Sequence, residues 1–153
     1  MGAWGTGIFD NDDAMDWVIG WETAPEGEGT TSDPGKLNFV IGALAAAADA
    51  KDYLDSDAGA AALAAAEIVA AASGKPARSF VKGKDADESL TELAAWSRSV
   101  NARPLNDSKA RELACQAIDR VLGPDSELAE LWDDSEHSTE WRAIADELRK
   151  RLQ

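Results

Sequence analysis

Between Ala58 and Ala72 the chain is almost all alanine, broken only by Gly59, Leu63, Ile68, Val69 and a single ionisable residue, Glu67. Alanine is the strongest helix former, so this run is a helix, capped by Asp57 and stopped by Gly74 and Pro76. A helix without a polar face holds its place only when other helices cover it on every side. The segment therefore dictates an all-α fold with 58–73 at its centre. Its small side chains let neighbouring axes approach toward the short end of the usual range of about 8–10 Å. The run is too short to cross a membrane, which takes about 18 or more consecutive apolar residues.

The sequence around it supplies the covering helices. Asn11 or Asp10 caps a first helix with Ala14, Trp17, Val18 and Trp21 on one face, ended by Gly20 and the stretch from Thr23 to Gly29. Asp33-Pro34 starts a second, expected to run to about Tyr53. Asp87 opens a fourth, with Leu90, Leu93, Ala94, Ser97 and Val100 inward, ended ahead of Pro104. Asp107 opens a fifth, closed by Gly123-Pro124, and a short turn around Leu128, Leu131 and Trp132 follows. Ser138 caps the last, where Trp141, Ile144, Ala145, Leu148 and Leu152 face the core and Arg149, Lys150 and Arg151 suit the negative end of the helix dipole. Strand alternation is absent. Short connections imply antiparallel neighbours, so the expected object is a single-domain antiparallel helical bundle, or short helical stack, of six to seven helices. It comprises an acidic N-terminal cap over 1–33 containing a Gly/Trp-rich loop, a helical body over 34–153, and a basic loop over 75–86. A chain of 153 residues can bury roughly 70% of its unfolded surface without disulfide or metal staples.

Charge and inventory then remove whole classes of function. The formal net charge is −14, and no lysine or arginine precedes Lys36. Such a chain repels nucleic acid and anionic lipid at long range. Gly2 and Thr6 fit an N-acylation pattern, but one acyl chain needs a basic patch beside it and the neighbours are acidic. Cys115 and His137 are the only residues of their types. That leaves no disulfide framework, no zinc-ligand spacing and little material for a Cys-His nucleophile, and it points to the cytoplasm. Gly74-Lys75 and Gly83-Lys84 lack the earlier glycine of a phosphate loop. Asp10, Asp12 and Asp16 lack the glycine and terminal glutamate of a calcium loop. Glu127 and Glu130 form only half of the paired acidic motif used by helical nucleotide hydrolases. No catalytic residue, metal site or cofactor is expected.

Two places remain for function. Glu67 cannot be buried unpaired without a cost of several kcal/mol, roughly, so it needs Arg111, Arg98, a tryptophan indole or the amides of the glycine-rich loop. It is then either a structural tether or a functional carboxylate. Gly2, Gly5 and Gly7 permit positive φ and a compact loop that lays Trp4, Ile8 and Phe9 on the bundle, its amides receiving the chain's own carboxylates. The candidate site is accordingly Trp4, Asp12, Asp13, Trp17 and Glu67. A second cluster, Lys75, Arg78, Lys82 and Lys84 around Phe80 and Val81, is either a partner or anion contact, or a solvated loop whose apolar residues tuck onto the core.

The opening Met1-Gly2-Ala3-Trp4-Gly5-Thr6-Gly7-Ile8-Phe9-Asp10-Asn11-Asp12-Asp13-Ala14, followed by Trp17, resembles the signature of a family of small bacterial proteins known only as a domain of unknown function. The resemblance implies a bacterial, intracellular, stand-alone domain and brings no activity or catalytic residue with it. The charge favours a non-catalytic acidic interaction domain, such as an immunity-like protein neutralising a basic partner. The alternatives are a small-ligand binder or enzyme with a carboxylate-lined cleft between the N-terminal loop and helix 58–73, or a homo-oligomer joined through an exposed Trp21 or Trp132. Oligomeric state is left open by the sequence.

Overall fold

A computed structural model describes residues 3–26, 35–82 and 88–153. Among them the chain is all-helical and carries no strand: α1 (Asp12–Thr23), α2 (Lys36–Ala48), α3 (Ser56–Ala72), α4 (Arg78–Lys82), α5 (Glu88–Ser97), α6 (Ser108–Leu122), α7 (Glu127–Asp133) and α8 (Ser138–Arg151). A 3-10 helix, Val100–Leu105, joins α5 to α6. No described helix is long and apolar enough to cross a membrane.

The alanine-rich helix lies where its composition requires. All of α3 from Ala62 to Ala71, Glu67 included, is buried, and α1, α2, α5, α6, α7 and α8 all pack against it. Gly74, at φ +85°, closes it: the Gly74 amide donates to the Ala71 carbonyl at 3.0 Å and the Lys75 amide to Ala70 at 2.9 Å. That pair of bonds satisfies carbonyls left over at the helix end and requires a left-handed residue between them. Of the two caps offered for α1 Asn11 serves, and Asp107 caps α6 as read, their side chains accepting from the amides of Ala14 and Lys109. Asp57 does not cap α3, which starts at Ser56, with Asp55 at the cap position and Asp57 in the first turn.

The helix count exceeds the six to seven read from periodicity, and the surplus has identifiable causes. Within the expected loop 75–86, Phe80 is buried and stacks on Phe9 with ring centroids 5.0 Å apart, which anchors the short helix α4. Helix α5 stops at Ser97 because the hydroxyls of Ser97 and Ser99 donate back to the carbonyls of Ala94 and Trp96 at 2.8 and 2.7 Å, competing with continuation of the ladder. Pro104 then sits inside the 3-10 helix, and Val100, expected inward, is exposed.

Helix α2 ends at Ala48 instead of near Tyr53, because the chain turns there to pair with the segment before α7. The Leu54 amide donates to the Asp125 carbonyl at 2.8 Å and the Glu127 amide to the Leu54 carbonyl at 2.9 Å. Tyr53 is left exposed, its hydroxyl donating to Glu130. Ser138 is not the cap of α8; His137 holds that position, and the Ser138 hydroxyl donates to Asp133. Trp21 and Trp132, proposed as exposed subunit contacts, are both buried. Trp21 meets Trp96 edge to face at 5.3 Å, and Trp132 stacks on Trp141 at 5.8 Å, so each indole finds an aromatic partner within its own chain. The helix starts assigned to Asp33-Pro34 and Asp87 lie outside the described residues.

Candidate functional site

The N-terminal loop is held by its own polar groups. The Trp4 amide donates to the Asp10 carbonyl at 3.0 Å, the Asp10 amide to the Gly7 carbonyl at 3.1 Å, and the Gly7 amide to Asp10 Oδ2 at 3.1 Å. Neither Gly5 nor Gly7 adopts positive φ, which corrects the conformational reason given for them; Gly2 lies outside the described residues. The requirement is space: a Cβ on either Gly5 or Gly7 would lie 2.6 Å from Asp10 Oδ2. The carboxylate folds into the room two missing side chains provide. This arrangement buries Phe9 and leaves Trp4 standing 63% exposed.

Beside that loop runs an open groove of about 950 Å³. Phe9 and Phe80 lie among its lining with Ala77 and the carboxylate of Glu67; Met15 and Ile19 come from α1, and Leu90 from α5. Helix α8 contributes Glu140, Ala143, Ile144, Glu147 and Arg151. Ile19 is 53% exposed, and Ile144, expected in the core, is half-buried here. The interior stripe of α8 is instead Trp141, Ala145 and Leu148. The lining is mostly apolar, with carboxylates distributed along it.

Glu67 finds its partner in α8. Arg151 donates Nη2 to Oε1 at 2.8 Å and Nη1 to Oε2 at 3.0 Å, the parallel fork that suits guanidinium and carboxylate. The Ala77 amide adds a third bond to Oε2 at 3.0 Å. Arg151 is tied further by the Lys75 carbonyl at 2.9 Å and by Glu147 at 2.7 Å. Burial works against the charge of Arg151, but its bonds to Glu67 and then Glu147 outweigh this and hold the guanidinium above its ordinary pKa. The partners expected from the sequence do other work: Arg98 caps the Ala94 carbonyl and Arg111 binds Asn106. A carboxylate with both oxygens bound is a tether between α3, the start of α4 and the end of α8.

The structure does not gather the expected site into one place. Trp4 and Glu67 share the groove, whereas Asp12, Asp13 and Trp17 are not part of its lining. Asp12 is exposed in the first turn of α1. Asp13 faces the start of α3, where desolvation, then the charges of Asp57, Asp16 and Asp12, raise its pKa against a bond from Ser56. Trp17 stacks on Phe39 at 5.3 Å. Glu127 and Glu130 also serve the fold, Glu127 accepting from the Ser56 amide at 2.8 Å; that bond holds its carboxyl below the usual range. Among the described residues no three side chains of metal-ligating type converge. Lys75 and Arg78 are exposed at the edge of α4; the side chain of Lys82 and all of Lys84 lie outside the described residues. Sequence reading named Phe80 as an apolar residue tucking onto the core, as it does, but did not place Asp10, Ile19, Glu140, Ile144 or Glu147 at the site. Only Ile19 carried a signal, as a large apolar residue off the Ala14–Val18–Trp21 face.

A family model for a domain of unknown function, DUF4259, matches residues 2–144. The chain belongs to that family. The DUF4259 match takes in the N-terminal loop, Glu67 and the α8 residues through Ile144, while Glu147 and Arg151 lie beyond it. No curated protein and no solved structure matches the chain.

Proposed function

We propose that this DUF4259 domain is a non-catalytic binding module that docks a basic partner protein in the groove beside its N-terminal loop, in the manner of an immunity-like protein that neutralises its target. The observation carrying the reading is the composition of that groove: an apolar lining with Trp4 and Ile19 exposed on it, holding four carboxylates (Asp10, Glu67, Glu140, Glu147) against one guanidinium. Exposed apolar surface of this kind, bordered by charge, is how soluble proteins present a partner site. The chain's charge of −14 speeds and selects the approach of a cationic partner. The reading of the cleft as an enzyme site has less support, because Glu67, the one buried acid in it, has both oxygens occupied.

A photo-crosslinking residue in place of Ala143, introduced in the native host, tests this. The expected result is a crosslink to a protein of basic isoelectric point, weakened by salt and lost with Ile19→Asn. Capture of an acidic partner, or a crosslink indifferent to salt, would contradict the proposal.

A further inference from the structure

The groove has the outline of a missing helix. Helices α1 and α8 both pack against α3 but form no substantial interface with each other, and the space between them is the open groove, with Met15 and Ile19 from α1 and Ile144 from α8. Met15 and Ile19 are four residues apart, and on α8 the lining residues Glu140, Ala143, Ile144 and Glu147 recur at spacings of three and four. That is a second helical stripe, distinct from the interior one, of the kind a helix turns toward a packed neighbour. Ala143 supplies a small residue at which another helix axis can approach closely. Glu140 and Glu147 stand one heptad apart, about 10 Å along the axis, the repeat at which paired helices keep facing the same charges.

From this we infer that the occupant is an amphipathic basic α-helix of about three turns. It lays apolar residues spaced i, i+3 or i+4, i+7 into the groove and sets lysines or arginines one heptad apart on the flank facing α8. The inference rests on the partner-binding reading above and adds the form of the partner. Charge orients it: α8 brings Glu140 and Glu147 along the groove, whereas the exposed bases Lys75 and Arg78 flank the lining residue Ala77 beside the Arg151 end of that helix, so the basic flank of the incoming helix lies along the Glu140–Glu147 stretch of α8. Glu147 also binds Arg151, which leaves Glu140 as the residue to change without disturbing the tether.

Three synthetic 18-residue peptides decide it by fluorescence anisotropy at moderate salt: a leucine/lysine/alanine helix with this pattern, a shuffled peptide of identical composition with no apolar face, and the patterned peptide with glutamate for lysine. The patterned basic helix is expected to bind at least about tenfold more tightly than either control, a difference of about 1.4 kcal/mol. The same loss is expected with Ile19→Gln, Ile144→Gln and Glu140→Lys, each checked for native helical circular dichroism. Equal binding of patterned and shuffled basic peptides overturns the helix and leaves the basic-partner reading standing. Equal binding of the glutamate peptide overturns the basic-partner reading itself. No binding of the patterned peptide, or binding that survives all three variants, removes the groove as the helix site.

Discussion

Arg151→Met isolates the tether between the central and last helices, since methionine keeps an apolar stem while removing the charge. Glu67 is 1% exposed and the Arg151 side chain 16%, so the variant strands a carboxylate in the interior with only the Ala77 amide left to it. Removing one partner of a buried pair costs roughly 3–5 kcal/mol. The partial access of water to Arg151 argues for the lower end, about 3 kcal/mol. In a chain of this length that lowers the melting temperature by roughly 6–12 °C, at about 2–4 °C per kcal/mol. Glu67→Gln added to Arg151→Met removes the charge and is expected to restore much of the loss, whereas independent contributions would deepen it. Urea unfolding followed by tryptophan fluorescence measures both variants against the wild type. A loss below about 1 kcal/mol in Arg151→Met, or a double variant no more stable than the single, would show that the pair is not a buried tether.

Three further outcomes follow from the geometry. Asp13→Asn should raise the melting temperature at neutral pH: the folded protein holds the Asp13 proton more tightly than the unfolded chain, so the wild-type residue loses stability as pH rises from the ordinary value of 3.8 through its raised one. Scanning calorimetry against pH should show the variant's advantage vanish in acid; an advantage unchanged there would contradict the electrostatic cause. Gly74→Ala, at φ +85°, should cost about 1–2 kcal/mol through the left-handed backbone alone, because nothing lies within 4 Å of the added methyl; an unchanged urea midpoint would refute it. Gly7→Ala should destabilise by about 1 kcal/mol by displacing Asp10 from the Gly7 amide, and should loosen the loop, detected as faster amide exchange there; protection equal to wild type would argue against the spatial role of the glycine.

The centre of this fold follows from composition alone. An alanine run with one ionisable residue has no face to offer water, so other helices must enclose it, and the structure encloses it. Local chemistry likewise required that Glu67 be partnered, that Asn11 or Asp10 cap the first helix and that Asp107 cap a later one, because an unsatisfied charge or amide is costly wherever the chain runs. Tertiary structure decided which partner and which surface. Arg151, 84 residues away, binds Glu67, while Arg98 and Arg111 turn to acceptors beside them. Ile144 looked like a core residue because periodicity assigns a side chain to a stripe of the helix without saying whether another helix lies over it. On α8 the inner stripe is buried in the bundle, Trp141 stacking on Trp132 of α7, and the neighbouring one lines the open groove, so a residue with core chemistry became the wall of a groove. Packing between distant segments, not local pattern, sets where a helical bundle leaves a place open.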